Sequence, residues 1–160
     1  MLKLLPQSLL AELAAKAAAS PRLRAHHNIH VSPADLVQRF LVVAQGGSYF
    51  RPHRHATRAE LAVLLEGRVS VLLFDGDGVV LARHEVGAES GNFAYETSQE
   101  VWHTLVPAES GCTFLEIKEG PYDPATAAQF ADWAPAEGAA AVLAFQSWLR
   151  SARPGDRPPA

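Results

Sequence analysis

A series of short, strand-length segments separated by turn residues fills the middle of the chain and constrains the fold more than any other feature. VQRFLVVAQ, SYFRPHRH, ELAVLLEG, RVSVLLFD, VVLARHEV, EVWHTLVP and CTFLEIKEG are rich in Val, Leu and Phe and are punctuated by Gly, Pro and Asp. DGDG at 75–78 joins RVSVLLF to VVLARHEV and is a hairpin turn signal. Six to eight short strands within about 85 residues, with no helical pattern between them, indicate an antiparallel sandwich or barrel.

Helical periodicity is confined to the two ends. Leu9, Leu10, Leu13, Ala14 and Ala17 fall on one helical face, Pro6 suits a first turn, and Ser20-Pro21 ends the run. Beyond Pro124 the helical period returns, weakly in ATAAQFADWA and more firmly in GAAAVLAFQSWLR, and RPGDRPPA has the composition of a loose tail. The expected organisation is one mainly-β domain. It comprises an N-terminal helix and arm (1–22), a β-barrel (23–120), a C-terminal helical segment (121–152) and a flexible tail (153–160).

Composition excludes several functions. A chain of 160 residues with 48% hydrophobic and 19% charged residues suits one globular domain with its own core. A net charge of -3 with scattered basic residues offers no stripe for nucleic acid. Cys112 is the single cysteine, so an intrachain disulfide and a thiolate metal cluster are both excluded. No apolar run approaches the roughly 20 residues of a membrane helix. Pro6, Gln7, Glu12 and Lys16 interrupt any signal-peptide core, which makes a cytoplasmic location the expectation.

The histidines carry the chemistry. If YFRPHRH is extended, Tyr49, Arg51, His53 and His55 share one face, and an H-x-H pair on a strand sets two imidazoles side by side. Glu60 follows across a short turn at the start of the next strand, and His103 in EVWHTL is a fourth candidate from a distant strand. Three imidazole nitrogens and one carboxylate oxygen suit a single divalent transition metal such as Zn, Mn, Fe, Co or Ni. A solvated charged loop has the same short spacing, and spacing alone does not choose between the two.

The wider pattern G-SYFRP-H-R-H-ATRA-E-LAVLLE-G resembles the first cupin motif, G-x5-H-x-H-x3-4-E-x6-G, at Gly47, His53, His55, Glu60 and Gly67. The second cupin motif, G-x5-P-x-G-x2-H-x3-N, is kept in part. His103 matches its histidine, whereas Ser98, Glu100 and Pro107 stand at its proline, second glycine and asparagine, and Gly91 lies one residue off its first glycine. SPRLRAHHNIH, VQRFL, LLFDGDG, WHTL and KEGPYDPATAAQFADWAPAEG extend the likeness over roughly residues 1–150 to the WbuC-like cupin-fold metalloproteins. That resemblance implies a jelly-roll β-barrel and a metal held by His53, His55, Glu60 and His103. It also implies a small bacterial protein connected with surface-polysaccharide (O-antigen) biosynthesis, and the homodimers common among cupins.

Two functional classes follow. In the first, a metalloenzyme of isomerase, epimerase or dioxygenase type acts on a small polar or carbohydrate-derived substrate. Arg51 orients an anion there and Tyr49 is the candidate proton donor. In the second, a non-catalytic module binds or senses a sugar or metabolite through the same pocket. A guanidinium inside a barrel needs an anion, which is either a ligand or an internal partner such as Glu116. Glu116 and Lys118 share the parity of Phe114, with Lys118 expected to reach solvent. His26, Asn28 and His30 are read as a polar surface arm, with covering the barrel mouth as the alternative. Trp102 is expected in the outer core, His84 on the surface and Cys112 buried.

Overall fold

The computed structural model describes residues 2–159. It contains α1 (Gln7–Ala19), β1 (Arg24–Asn28), β2 (Val37–Ala44), β3 (His53–Arg54), β4 (Glu60–Phe74), β5 (Val80–Gly87), β6 (Ala94–Thr97), β7 (Trp102–Glu119), β8 (Gln129–Phe130) and α2 (Val142–Ser151). No described helix is long and apolar enough to cross a membrane.

All strand pairs are antiparallel, and the long strands β4 and β7 organise them. They pair along their whole length, from Glu60 opposite Lys118 to Phe74 opposite Trp102. Their register shifts between Leu64 and Glu66 and again between Gly67 and Val69. These irregularities divide the sheet into two halves, one ordered β1-β2-β7-β4-β6 and the other β8-β3-β7-β4-β5. The two halves enclose a single interior, the mainly-β jelly-roll barrel expected from the motif. Gly67 sits at the corner with φ +72°, and a Cβ there would stand 2.2 Å from the Gly111 carbonyl oxygen. Only glycine fits that conformation and that approach.

Alternation along the strands then separates three cores. Inside the barrel, Val42, Ala62, Val69, Val71, Leu105 and Phe114 form an apolar floor. On the outer face of β2, Leu41 and Val43 receive Leu13 and Ala17 of α1, the helical face anticipated from the leucine spacing. On the other outer face, Leu72 and Phe74 pack against Phe145 and Leu149 of α2, with Trp102 and Trp133 beside them. Cys112 is buried and His84 is exposed, as expected.

Three expectations need correction. The segment SYFRPHRH forms a strand only at His53–Arg54, because Pro52 has no N–H to give to a ladder. ATAAQFADWA is not helical; it is irregular chain with the two-residue strand β8, and helix begins only at Val142. The tail is not loose: the Gly155 N–H donates to the Val80 carbonyl (2.8 Å) and the Val80 N–H to the Asp156 carbonyl (3.0 Å).

Candidate metal centre

The site forms where β3, the start of β4 and the start of β7 meet at the polar end of the barrel. His53 pairs in register with His103 of β7 on one side and with Phe130 of β8 on the other. Glu60 lies between Thr97 and Lys118 in the sheet, and His55 ends the short segment that β3 begins. His55, Glu60 and His103 are buried, and His53 is half-buried.

Each imidazole is fixed by a backbone carbonyl. His53 Nδ1 donates to the Arg51 carbonyl (3.0 Å), His55 Nδ1 to Ala127 (2.6 Å) and His103 Nδ1 to Val101 (2.9 Å). A carbonyl oxygen can only accept, so each Nδ1 carries the proton and each Nε2 keeps a lone pair. The candidate ligand atoms of the three histidines lie within 4.8 Å of one another. His55 Nε2 stands 3.0 Å from Glu60 Oε2, and His103 Nε2 stands 3.9 Å from Glu60 Oε1.

That arrangement fits a cation. A lone pair and a carboxylate oxygen 3.0 Å apart repel unless positive charge lies between them. Among the described residues His103 Nε2 is buried with no hydrogen-bond partner, a costly condition for an acceptor that serves nothing. Oriented imidazoles with carbonyls behind them are the usual outer support of metal-binding histidines. The residues present could therefore hold one transition metal.

The electrostatics agree. Burial, reinforced by the adjacent His103, lowers the pKa of His53 to about 3 and keeps the ring neutral, as ligation requires. Burial opposes ionisation of Glu60. Positive charge facing the carboxylate, at the His103 and His55 Nε2 atoms and on the Lys118 ammonium, outweighs it and holds the carboxyl well below its usual range. Lys118 Nζ lies 3.2 Å from Glu60 Oε2 and 2.7 Å from Glu116 Oε1. Burial would lower the lysine pKa, but Glu116 and Glu60 together raise it. Burial followed by the Glu60 charge raises that of Glu116.

Several predicted neighbours move. Lys118 is not turned out to solvent; it points into the barrel with Phe114 and Glu116, as their shared parity requires, with its side chain only 16% exposed. Arg51 does line the chamber, but Glu116 is not its partner. One guanidinium nitrogen, Nη2, donates to the Ala131 carbonyl (2.7 Å), the group stacks over Phe130 at 5.4 Å, and its Nε is buried without a partner. Tyr49 is withdrawn from the site. Its hydroxyl donates to the Pro135 carbonyl (2.9 Å) and its ring packs on Phe145 in the outer core, where burial raises its pKa. The alternation that placed Tyr49 beside His53 fails because residues 48–52 are not a strand. His26, Asn28 and His30 are not a mere surface arm. With Gln38, Phe40 and Lys118 they line a cavity of about 630 Å³ at the barrel mouth, which shares Phe50, Phe130, Glu116 and Lys118 with the smaller chamber around the histidines.

Sequence comparison adds a family. A model described as a domain of unknown function, DUF6016, matches residues 5–86, just over half of the chain. The chain belongs to the DUF6016 family. The matched region includes His53, His55, Glu60 and Gly67 and stops before His103. No curated protein matches this DUF6016 chain.

Solved structures resemble it more widely. Protein SO0799 from Shewanella oneidensis is 12% identical with a TM-score of 0.55, over 81% of this chain and 86% of that one. The capsular polysaccharide assembling protein CapF from Staphylococcus aureus is 13% identical with a TM-score of 0.55, over 66% of this chain and 31% of CapF. A point mutant of Bacillus subtilis oxalate decarboxylase OxdC is 17% identical with a TM-score of 0.52, over 67% of this chain and 27% of that one. The DUF6016 chain thus spans about a third or less of the last two proteins. Likeness at these identities shows the fold alone, and the fold is that of the cupins.

Proposed function

We propose that this DUF6016 protein is a cupin metalloenzyme in which His53, His55, His103 and Glu60 hold one divalent transition metal. The observation that carries the reading is the convergence of three histidine ligand atoms within 4.8 Å of one another, those of His55 and His103 facing Glu60, while every Nδ1 is tied to a carbonyl. When bound, a Zn, Fe, Mn or Ni ion would supply Lewis acidity beside the chamber. The chain's own residues do the rest. Arg51 presents a free Nε–H to an anionic group, and Lys118 adds a second positive charge beside Glu60. The Phe114 and Leu105 side of the barrel closes the floor to water.

The substrate in this reading is a small polar or carbohydrate-derived molecule. The fold shared with CapF and the resemblance to WbuC-like cupins support a place in surface-polysaccharide biosynthesis. A cytoplasmic setting and pairing as a homodimer through sheet edges complete the proposal; β5, whose only strand partner is β4 and which carries the exposed Leu81 beyond the Val80 end that the tail covers, is one such edge. Withdrawal of Tyr49 favours a second reading, a non-catalytic binding module, because it removes the expected proton donor.

Metal analysis after loading tests the first claim. Wild-type protein should carry about one ion per chain, and His53→Ala or His103→Ala should lose it. A wild type that retains no metal sinks the proposal. Turnover of a bound sugar nucleotide or small acid by loaded protein favours the enzyme, and binding without product favours the module.

A further inference from the structure

Four cationic side chains, Arg22, Arg24, Arg51 and Lys118, line the histidine chamber against three carboxylates. The residues alone are therefore positive by one charge, and a divalent ion raises that to three. Ion pairing inside the chamber does not remove the excess. Glu137 accepts from both Arg22 (2.6 Å) and Arg24, and Lys118 is shared by Glu60 and Glu116, which leaves Arg51 without a carboxylate.

The unpartnered buried polar atoms point the same way. Arg51 Nε is a donor that faces no acceptor, in the chamber. Gln38, one of the most deeply buried side chains, gives its amide N–H groups to the Asp35 carbonyl (2.6 Å) and the Pro33 carbonyl (3.2 Å) and leaves Oε1 unused at the mouth. A buried donor on a cation calls for an anion, and a buried amide acceptor calls for a hydroxyl. Phe40, Phe50 and Phe130 supply apolar faces between them. The mouth, at about 630 Å³, has the volume of a small-molecule site.

We infer that the chamber and its mouth bind an anionic sugar, a polyhydroxylated ring or chain bearing one carboxylate or phosphate. The acid group lies toward Arg51 and Lys118, and hydroxyls reach Gln38 Oε1. The inference rests on the metal reading of the same chamber and specifies its ligand.

Calorimetric titration of metal-loaded protein tests it, with metal content measured on the same samples. The probes are galacturonate, glucose 6-phosphate, and neutral galactose and glucose. At least one anionic sugar should bind tenfold or more tightly than its neutral counterpart, and the two acids separate carboxylate from phosphate preference. Arg51→Gln should abolish that preference, and Gln38→Leu should weaken the acidic sugar but leave acetate or inorganic phosphate binding unchanged. Thermal unfolding confirms that each variant is folded, and Arg51→Lys, which keeps the charge, should retain part of the preference. Neutral and acidic sugars binding alike, or none binding, in protein that holds its metal overturns this inference and leaves the metal reading standing. Protein that takes up no metal overturns both.

Discussion

Replacing Gly67 by alanine tests whether the barrel corner holds the two halves of the site together. Glu60 belongs to one half of the sheet, whereas His53 and His103 belong to the other, and Gly67 lies at the turn between them. At φ +72° an alanine costs about 1–2 kcal/mol in backbone strain. Its Cβ would also lie 2.2 Å from the Gly111 oxygen, a backbone atom that cannot swing aside, and such overpacking adds roughly 1–3 kcal/mol. The expected loss is about 3–4 kcal/mol, or a fall in Tm of roughly 10 °C for a domain of this size. Two glycines serve as controls. Gly91 has φ +83° with nothing within 4 Å, so Gly91→Ala should show strain alone, about 1 kcal/mol. Gly76 has neither a positive φ nor a neighbour within 4 Å, and Gly76→Ala should change stability by less than about 0.5 kcal/mol. Urea unfolding of the three variants, with metal uptake measured in parallel, provides the assay. Gly67→Ala no worse than Gly91→Ala would mean that the close approach to Gly111 constrains nothing, contrary to this expectation.

Other perturbations follow from the same structure. Lys118→Met leaves Glu60 and Glu116 without their shared cation and should lower the stability of metal-free protein by about 3–5 kcal/mol. Added metal should then raise the Tm of this variant more than that of wild type in a thermal-shift assay, and an equal rise contradicts the ion-pair account. Glu137 ionises below its ordinary pKa: burial opposes this, and the hydrogen bonds from Arg22 and Arg24 overcome it. Its contribution is therefore complete above the ordinary value of 4.5 and is lost as pH falls through the lowered one. Denaturant melts of wild type and Glu137→Gln should differ by about 1 kcal/mol at pH 7, and that difference should vanish on acidification. Phe145 is 2% exposed among Tyr49, Trp133 and Trp148, so Phe145→Ala should destabilise by about 3–5 kcal/mol. Metal uptake by the folded variant should be unchanged, because α2 packs outside the barrel.

The clustering of His53, His55, Glu60 and His103 was legible through the likeness to the cupin motif and not from spacing alone. An H-x-H pair needs only two alternating positions, and Glu60 and Gly67 follow from the length of one bent strand. His103 was legible from its place in a second strand, although the turn before it departs from the motif. Parity also placed Glu116 and Lys118 on the face of buried Phe114, but a lysine is so often solvated that an outward direction is the simpler reading of sequence; the two carboxylates that hold it inward lie far apart in the chain. Tyr49 went wrong for a local reason, since Pro52 interrupts the strand that the alternation assumed. The residues that anchor the chamber from outside, Ala127, Ala131 and Glu137, lie in irregular chain after β7. The weak helical period of ATAAQFADWA misdescribes the first two, and only the folded chain shows that the Ala127 carbonyl fixes His55.

X-ray absorption at the metal edge of loaded protein tests whether histidines hold the ion. A shell of light N and O atoms at about 2.0–2.2 Å with imidazole scattering is expected for wild type, with the edge signal lost in His53→Ala or His103→Ala. An ion whose spectrum shows no imidazole, or is unchanged in both variants, would contradict it.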